Sequence, residues 1–449
     1  MRAFSKRLLL LVVVMIGMLL SCEKQNSTWE AARVSDGKPG HLRQTKTFSA
    51  DVAIHWMDMQ VKQMRAYPGI IGNVAYSRQY AYCGIALYES VVPGMPAYRS
   101  IASQLNGLTG LPETKPGYAY HWAASANAAL AYMNRQMFPS ATAENKALMD
   151  KLEADLLTKY TSEADAATIE RSVAFGRSVA ETVFAWSETD GYKDVNKPYT
   201  PPVGFVGGQY WTPPSNPLPV HTLPYMGNLR RLVPESGEGA ALAGPDYSQL
   251  PAMTLDVIQS KPAAGTDQYK MAFWWRDFPG TSTPGHYVSI LRQVLSKEKP
   301  SLDVAAYAYA LGGITVMDIA ITTWQDKFKF LLARPFNYDD VIGQPFTPWL
   351  SAPHPEYPAA HASLSIANAE ALTTVLGEVS FTDSTFYGLL TPQGITLEPR
   401  HYSSFRQAGE EAGWSRLYGG IHYRKSIEDG FWQGKKVAEN VKTQLKFRD

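Results

Sequence analysis

Residues 358–372 read PAAHASLSIANAEAL, and this stretch decides the fold of the chain. Small and apolar side chains dominate it, which is typical of a buried helix. The preceding residues 354–358 read HPEYP, and the two prolines restrict the residues before them to an extended or turn conformation. The amides of Ala359, Ala360 and His361 are therefore predicted to lie at a helix N-terminus, which is a natural site for an anion.

A lysine and an arginine lie seven residues apart upstream of this stretch. That separation returns to nearly the same helix face about 10 Å further along the axis. Lys327 and Arg334 share the face with Trp324 and Leu331, and Pro335 is predicted to end the helix with Arg334 in its last turn. The alternative is a surface face on which the Lys and Arg stems cover apolar neighbours.

A third segment, residues 413–424, reads GWSRLYGGIHYR. Ser415 and Arg416 precede a pair of glycines, at positions 419 and 420, that is predicted to break a helix just ahead of His422. His422 is then expected to open the final helix, with its imidazole facing a cavity.

The residue types of these three segments suit an oxyanion. Guanidinium groups offer paired hydrogen bonds to its oxygens, and a lysine adds a point charge. A neutral imidazole supplies the one ligand able to bond covalently to the central atom. If the segments converge, they form a site for phosphate or vanadate chemistry.

The order Lys-x6-Arg-Pro, Pro-x-x-His and Ser-Arg-x5-His resembles the tripartite motif of the superfamily that joins vanadium-dependent haloperoxidases and type 2 phosphatidic acid phosphatases. The soluble haloperoxidase branch is favoured by Trp324, by the Pro-Gly-His sequence at 284–286 and by the YWTPP loop at 210–214. The resemblance covers roughly residues 40 to 445. It implies an all-α fold, a helical bundle of the vanadium haloperoxidase/acid phosphatase type.

The resemblance also implies roles for individual residues and vanadate as the cofactor. His422 would be the axial ligand of vanadium, or the phosphoryl-accepting nucleophile in the phosphatase branch. His361 would be the acid–base residue. His354 falls where bromide-oxidising members carry a histidine, and it either tunes proton traffic or halide choice or is an ordinary loop histidine. The equatorial oxygens would be bound by Lys327, Arg334, Arg416 and the amide of Ala360. Lys327 would also be catalytic, because it would polarise the bound peroxide.

The chain departs from the family pattern at two positions. Ala359 stands where the family usually has a serine, so one hydrogen bond to an equatorial oxygen is lost, at a cost of about 1.5–3 kcal/mol. Ser426 stands where the family usually has the aspartate that orients the metal-binding histidine, a loss that typically weakens affinity or activity by about 10- to 100-fold. Asp429 is a possible substitute, but Ser426 to Asp429 also fits a capping box with Ser426 as the N-cap.

The N-terminus has the features of an exported lipoprotein. Basic residues, an apolar run at 8–20 and the sequence LLSC at 19–22 predict a signal peptide over residues 1–21 and lipidation at Cys22. Residues 22–45 are predicted to be a flexible tether, and 46–449 a single domain with its active site at about 324–429. The expected location is the cell envelope, periplasmic or attached to the outer membrane, with a lipid anchor as the only membrane contact.

Composition and pattern support a single large helical enzyme. The net charge of +1 argues against a nucleic-acid partner. Every other apolar stretch is expected to be too interrupted by charged or polar residues for a membrane span, and Cys83 is predicted to be a core residue.

Residues 190–251 are predicted to be a loop packed as a lid over the site entrance, in preference to a floppy linker. Helices are predicted at 49–66, 71–91, 117–137, 143–158, 162–189, 265–273, 285–298, 301–333, 361–376, 403–413 and 427–447.

Three functions remain open from the sequence. The first is a haloperoxidase-like enzyme that oxidises a halide with hydrogen peroxide. The second is an acid-phosphatase-like enzyme that hydrolyses a phosphate ester through a phosphohistidine at His422. The third is a surface lipoprotein that binds an oxyanion or a partner without catalysis. The sequence fixes neither the halide nor the oligomeric state, for which a homodimer is one option.

Overall fold

A computed structural model describes residues 43–66, 73–205, 207–277 and 282–448, all within one compact unit, Arg33–Asp449. The predicted signal peptide, the lipidation at Cys22 and nearly all of the predicted tether lie outside the described residues.

The described residues form thirteen α-helices, a two-stranded sheet and several short 3₁₀ helices. The α-helices are α1 (Asp51–Ala66), α2 (Ser77–Val91), α3 (Trp122–Met137), α4 (Ala143–Thr161), α5 (Ala166–Ser187), α6 (Leu250–Gln259), α7 (Asp267–Trp274), α8 (Thr283–Glu298), α9 (Leu302–Phe330), α10 (Pro335–Tyr338), α11 (Ala360–Leu376), α12 (Phe405–Tyr418) and α13 (Arg424–Gln444). The strands β1 (Phe381–Asp383) and β2 (Arg400–Tyr402) pair antiparallel, with Phe381 opposite Tyr402. The 3₁₀ helices are Thr45–Thr47, Asn73–Tyr76, Val92–Gly94, Ala102–Gln104, Tyr192–Asp194, Met226–Asn228, Tyr247–Gln249 and Asp339–Ile342.

The predicted all-α class is confirmed, and each of the eleven predicted helices has an observed counterpart. Two helices were missed, α6 and the one-turn α10. Both begin beside a proline, at Pro251 and Pro335, and proline is favoured in the first turn of a helix. Helix α10 has only four residues, too few to show a period in the sequence.

Helix α9 is the central element of the core. It packs most extensively against α2, and the two backbones approach closely at two glycines. A Cβ at Gly84 would lie 2.6 Å from the carbonyl oxygen of Tyr309, and one at Gly313 would lie 2.6 Å from that of Tyr80. No larger residue fits at these positions without a shift of the backbone.

One described helix, α9, is long and apolar enough to cross a membrane, with a mean hydropathy of 1.6. The expectation that charges interrupt every such stretch was therefore wrong for this helix. Because 94% of its apolar window is buried inside the protein, its composition is that of a core helix. Cys83, on α2, is also fully buried, as predicted.

Helices α11 and α13 bring two of the predicted site segments together. A Cβ at Gly430 would lie 2.8 Å from the carbonyl oxygen of Ala359, and one at Gly434 would lie 2.2 Å from that of Ser363. These glycines let α13 lie directly against the start of α11. The segment that precedes α13 is thereby held beside the N-terminus of α11.

The end of α9 differs from the prediction. The helix ends at Phe330, and Leu331 adopts a left-handed conformation with φ of 49°. Trp211 N then donates to Leu331 O at 2.6 Å, and Glu356 N donates to Leu332 O at 2.9 Å, so the chain pairs with neighbouring segments instead of continuing the helix. The prediction that Arg334 occupies the last turn of this helix was wrong: Arg334 lies in an extended segment and is the N-cap of α10.

The segment at 190–251 is packed against the rest of the protein. Trp211 is buried and contacts Phe328 edge-to-face, with ring centroids 6.0 Å apart. The carbonyl of Thr222 accepts from the indole of Trp324 at 3.1 Å. His221, from the same segment, lines a cavity together with His361 and His422.

Candidate active site

A cavity of about 610 Å³ opens between the starts of α11 and α13, the end of α12 and the segment at 347–354. Among the predicted site residues it is lined by His354, Ala360, His361, Arg416 and His422. Its other lining residues are Val74, His221, Arg276, Thr283, Trp324, Thr347, Pro348, Trp349, Leu350, Ser351, Ala352, Pro353, Leu364, Pro392 and Ile421. The structure therefore brings side chains from all three motif-bearing regions into one volume, with Lys327 and Arg334 directly behind the wall.

His422 is held by a carboxylate on one side and a guanidinium on the other. Its Nδ1 lies 2.8 Å from Oε1 of Glu356, and Nη1 of Arg334 donates to its Nε2 at 2.9 Å. A carboxylate accepts and a guanidinium donates, so the proton sits on Nδ1 and the lone pair on Nε2. Burial, Arg334 and Lys327 hold the pKa of His422 well below its usual range. The imidazole is therefore neutral and presents Nε2 as a ligand or nucleophile.

Glu356 was not among the predicted site residues. It is fully buried, its Oε1 also accepts from the amide of Tyr423 at 2.9 Å, and its Oε2 accepts from the hydroxyl of Ser426 at 2.7 Å. Burial raises the pKa of Glu356 to about 7, with Arg334 as the largest opposing influence. The carboxylate thus links the segment before α11 to the start of α13.

The capping-box interpretation of Ser426 was wrong. Helix α13 begins at Arg424 with Tyr423 as its N-cap, so Ser426 lies inside the first turn and His422 lies just outside the helix. Asp429 does not replace the missing aspartate either, because it accepts from the hydroxyl of Tyr357 at 2.7 Å and pairs with Lys425.

Arg334 is buried and uses its guanidinium to connect the site segments. Besides His422, it donates to the carbonyls of Ile421 at 2.8 Å and His354 at 3.1 Å. Its Nη2 donates to Nδ1 of His354 at 3.1 Å. Burial lowers its pKa to about 10, so the group remains charged at neutral pH.

Arg416 offers the clearest position for an anion. Its Nη1 donates to the carbonyl of Trp275 at 2.9 Å, but within the described ranges nothing accepts from its buried Nε. Burial lowers its pKa to about 10, which still leaves a full positive charge. A buried guanidinium with a spare donor beside a cavity fits an oxyanion. The donor set around His422 therefore fits vanadate or phosphate.

The backbone amides of the two alanines before His361 have different partners. Helix α11 begins at Ala360, and its first amides have no partner available within the helix. The amide of Ala359, which the sequence also suggested as an anion donor, instead donates to the carbonyl of Ser426 at 3.0 Å, so that expectation was wrong. The methyl group of Ala359 lies in an apolar cluster with Leu417 and Ile427.

Lys327 is fully buried behind the wall of the cavity. Its ammonium donates to the carbonyls of Pro355 at 2.9 Å, Glu356 at 2.8 Å and Pro358 at 2.6 Å. Three acceptors match its three hydrogens, so in this structure Lys327 fixes the segment at 355–358 and does not face the cavity. Its direct contact with an equatorial oxygen stays a prediction and requires an exchange of one of these carbonyls for the anion.

His354 lies in the cavity wall. Its ring packs against that of Trp324 with centroids 5.0 Å apart, and burial with the charges of Lys327 and Arg334 holds its pKa well below the usual range. The structure places this histidine at the site and not in an outer loop. Its part in halide choice stays a prediction.

His361 ends a buried chain of alternating acids and histidines. Nε2 of His361 lies 2.9 Å from Oδ2 of Asp277, whose Oδ1 lies 2.9 Å from Nδ1 of His286. Nε2 of His286 in turn lies 2.7 Å from Oδ2 of Asp383. Burial and the charge of Arg416 lower the pKa of His361 to about 4, so it is neutral near pH 7 and can accept a proton.

His286 is a buried imidazolium between two carboxylates. Despite burial, Asp383 and Asp277 raise the pKa of His286 to about 9, and His286 in turn holds the pKa values of both carboxyls below their usual range. The sequence pointed to the Pro-Gly-His at 284–286 only as a likeness, and Asp277 and Asp383 were missed. Asp277 follows a Trp-Trp-Arg run and adopts φ of 61°, and neither feature marks it as a partner of His361.

Because of His286, the free energy of unfolding is expected to fall as the pH rises. A folded-state pKa of about 9, raised from 6.5, contributes stability that is complete below pH 6.5 and is lost as the pH rises through 9. The loss is on the order of 3 kcal/mol. Urea unfolding of the wild type and of His286→Gln between pH 6 and 9.5 checks this. Curves that stay parallel across that range would contradict the assignment.

The fold and the cavity define a helical-bundle protein with a cavity lined by His354, His361, Arg416 and His422. Residues 337–448 match the family model for the VCPO second helical-bundle domain. The structure resembles that of the first bacterial vanadium-dependent iodoperoxidase, with a TM-score of 0.76 and 25% sequence identity over 90% of this chain and 98% of that one.

Two further solved structures share the fold at lower identity. The first is the holo form of a bacterial vanadium-dependent chloroperoxidase, with a TM-score of 0.61 and 14% sequence identity over 86% of this chain and 96% of that one. The second is an apo form of a bacterial vanadium-dependent chloroperoxidase, with a TM-score of 0.63 and 13% sequence identity over 90% of this chain and 100% of that one. No curated protein matches the sequence. The resemblance to the vanadium haloperoxidases that was stated from the three motifs is confirmed.

Proposed function

We propose that this protein is a vanadate-dependent haloperoxidase that oxidises a halide with hydrogen peroxide. The observation that carries the proposal is that Glu356 fixes the lone pair of His422 on Nε2, and that His422 lines the same cavity as Arg416 and His361. The likeness to an iodoperoxidase supports the reaction class.

The proposed reaction requires residues that bind vanadate and hold its oxygens. Nε2 of His422 would bind vanadate, in exchange for its contact with Arg334. Arg416, Arg334 and the amide of Ala360 would hold the oxygens. Bound vanadate supplies a Lewis acid that activates peroxide for attack by halide without a change in oxidation state.

His361 would take the proton that hydrogen peroxide loses. Asp277 accepts from Nε2, which leaves Nδ1 of the neutral ring as the base. Because the pKa of His361 is about 4, it is a weak base at neutral pH and returns the proton readily. Asp277 fixes the orientation of the ring throughout.

Phosphate-ester hydrolysis is the second candidate, because the same Nε2 could accept a phosphoryl group and the same cations could hold its oxygens. Export as a lipoprotein, proposed from residues 1–22, would place either reaction in the cell envelope. The homodimer stays an open proposal.

One set of assays separates these functions. Purified protein is incubated with orthovanadate and tested for oxidation of iodide, bromide and chloride by peroxide, and separately for hydrolysis of a phosphomonoester without vanadate. We expect halide oxidation that appears only with vanadate. Hydrolysis that vanadate inhibits would favour the phosphatase, and a folded protein that is silent in both assays would favour a binding role.

A further inference from the structure

The family pattern has a carboxylate at the position of Ser426, and this chain lacks it. We propose that Glu356 is the positioning residue that takes over this task, from a different segment of the chain, and that Ser426 holds Glu356 in place. The inference rests on the proposed function, and it concerns how this chain prepares His422 for the anion.

The contacts of Glu356 meet the requirements of such a residue. Its Oε1 lies 2.8 Å from Nδ1 of His422, which directs the imidazole proton to that nitrogen and leaves the lone pair on Nε2. Arg334 donates to Nε2 in this structure, and the anion would replace that contact. Its Oε1 also accepts from the amide of Tyr423, which fixes the backbone next to His422. Oε1 of the carboxylate is therefore committed to the segment that carries His422.

Ser426 holds the carboxylate of Glu356 in place. Its hydroxyl donates to Oε2 of Glu356 at 2.7 Å, and the residue is buried in the first turn of α13. An aspartate here would place a second carboxylate against that of Glu356, and two buried like charges in contact disfavour each other. A serine hydroxyl instead donates a hydrogen bond to the carboxylate of Glu356, which comes from a different segment of the chain.

Two buried cations balance the charge of Glu356. Arg334 donates to Nε2 of the same imidazole, and Lys327 donates to the carbonyl of Glu356 itself. The carboxylate, the imidazole and the guanidinium therefore form one connected arrangement. In it Glu356 contacts the ligand residue and not the anion, so its role is to position.

The test uses Glu356→Gln in the full chain, with Glu428→Gln, an exposed glutamate on α13, as the matched control. Orthovanadate binding is measured by calorimetry, and the His422 tautomer by ¹⁵N NMR of histidine-labelled protein without vanadate. We expect Glu356→Gln to weaken vanadate binding by about 10- to 100-fold and to lose the fixed Nδ1–H tautomer. Glu428→Gln should match the wild type in both.

A second variant, Glu356→Gln combined with Ser426→Asp, is expected to restore the Nδ1–H tautomer and most of the vanadate affinity. If Glu356→Gln does not fold, Ser426→Ala replaces it, with a severalfold weaker affinity as the expected result. Wild-type affinity and an unchanged tautomer in Glu356→Gln would overturn the proposal. The tautomer is read without vanadate or halide, so a failure of the proposed haloperoxidase activity leaves this test intact.

Discussion

His422→Ala is expected to abolish vanadate-dependent halide oxidation. The substitution removes Nε2 of His422, the nitrogen whose lone pair Glu356 fixes through its contact with Nδ1. We expect the rate to fall on the order of 1,000-fold, which corresponds to about 4 kcal/mol. Peroxide-dependent oxidation of iodide, measured across a vanadate titration, checks both the rate and the affinity.

The fold should survive this change. Glu356 keeps its contacts with Tyr423 and Ser426, and Arg334 keeps the carbonyl of Ile421. His55→Ala is the matched control, because His55 is an exposed helical histidine on α1. A His422→Ala protein that still saturates with vanadate at the wild-type concentration would remove this histidine from the site.

Asp277→Asn is expected to impair both stability and catalysis. The carboxylate lies between His286 and His361, and its loss leaves the buried imidazolium of His286 with Asp383 as its single carboxylate partner among the described residues. Removing one member of a buried ion pair costs about 3–5 kcal/mol, and we expect the lower end here because asparagine keeps one acceptor. Urea unfolding at pH 7 gives the loss directly.

The backbone does not complicate this comparison. Asp277 has φ of 61°, a conformation that asparagine tolerates about as well as aspartate. Asp383→Asn serves as the control, because it weakens His286 from the other side without contacting His361. We expect both variants to lose stability but only Asp277→Asn to lose halide oxidation beyond what unfolding explains. Equal activity in the two variants would show that Asp277 does not position His361.

The sequence was informative where a short segment carries its own signal. The segments around His361, Arg416 and His422 were correctly predicted to converge, because each couples a chemistry-bearing residue to a recognisable helix start or helix end. The end of α9 was mispredicted, since Leu331 turns left-handed to pair with Trp211, more than a hundred residues away. Such a pairing leaves no local pattern.

The carboxylates were the main omission for the same reason. Asp383 meets His286, and Asp277 meets His361, across long separations in sequence, and the geometry of each contact depends on the packing of several helices. Glu356 carried a weak signal, as the one charged residue in the proline-rich segment before His361. The serine at position 426, where the family pattern has an acid, was a second signal of this kind.

The hydrogen bond between Ser426 and Glu356 has an evolutionary consequence. One acid suffices for His422, whereas two would repel each other in the same buried space. Substitutions at these two positions should therefore be inherited as a pair, with an acid at one position accompanied by a neutral residue at the other. Lineages that passed from one arrangement to the other would have crossed an intermediate with either both acids or none, which makes the exchange a rare event and a useful marker of descent.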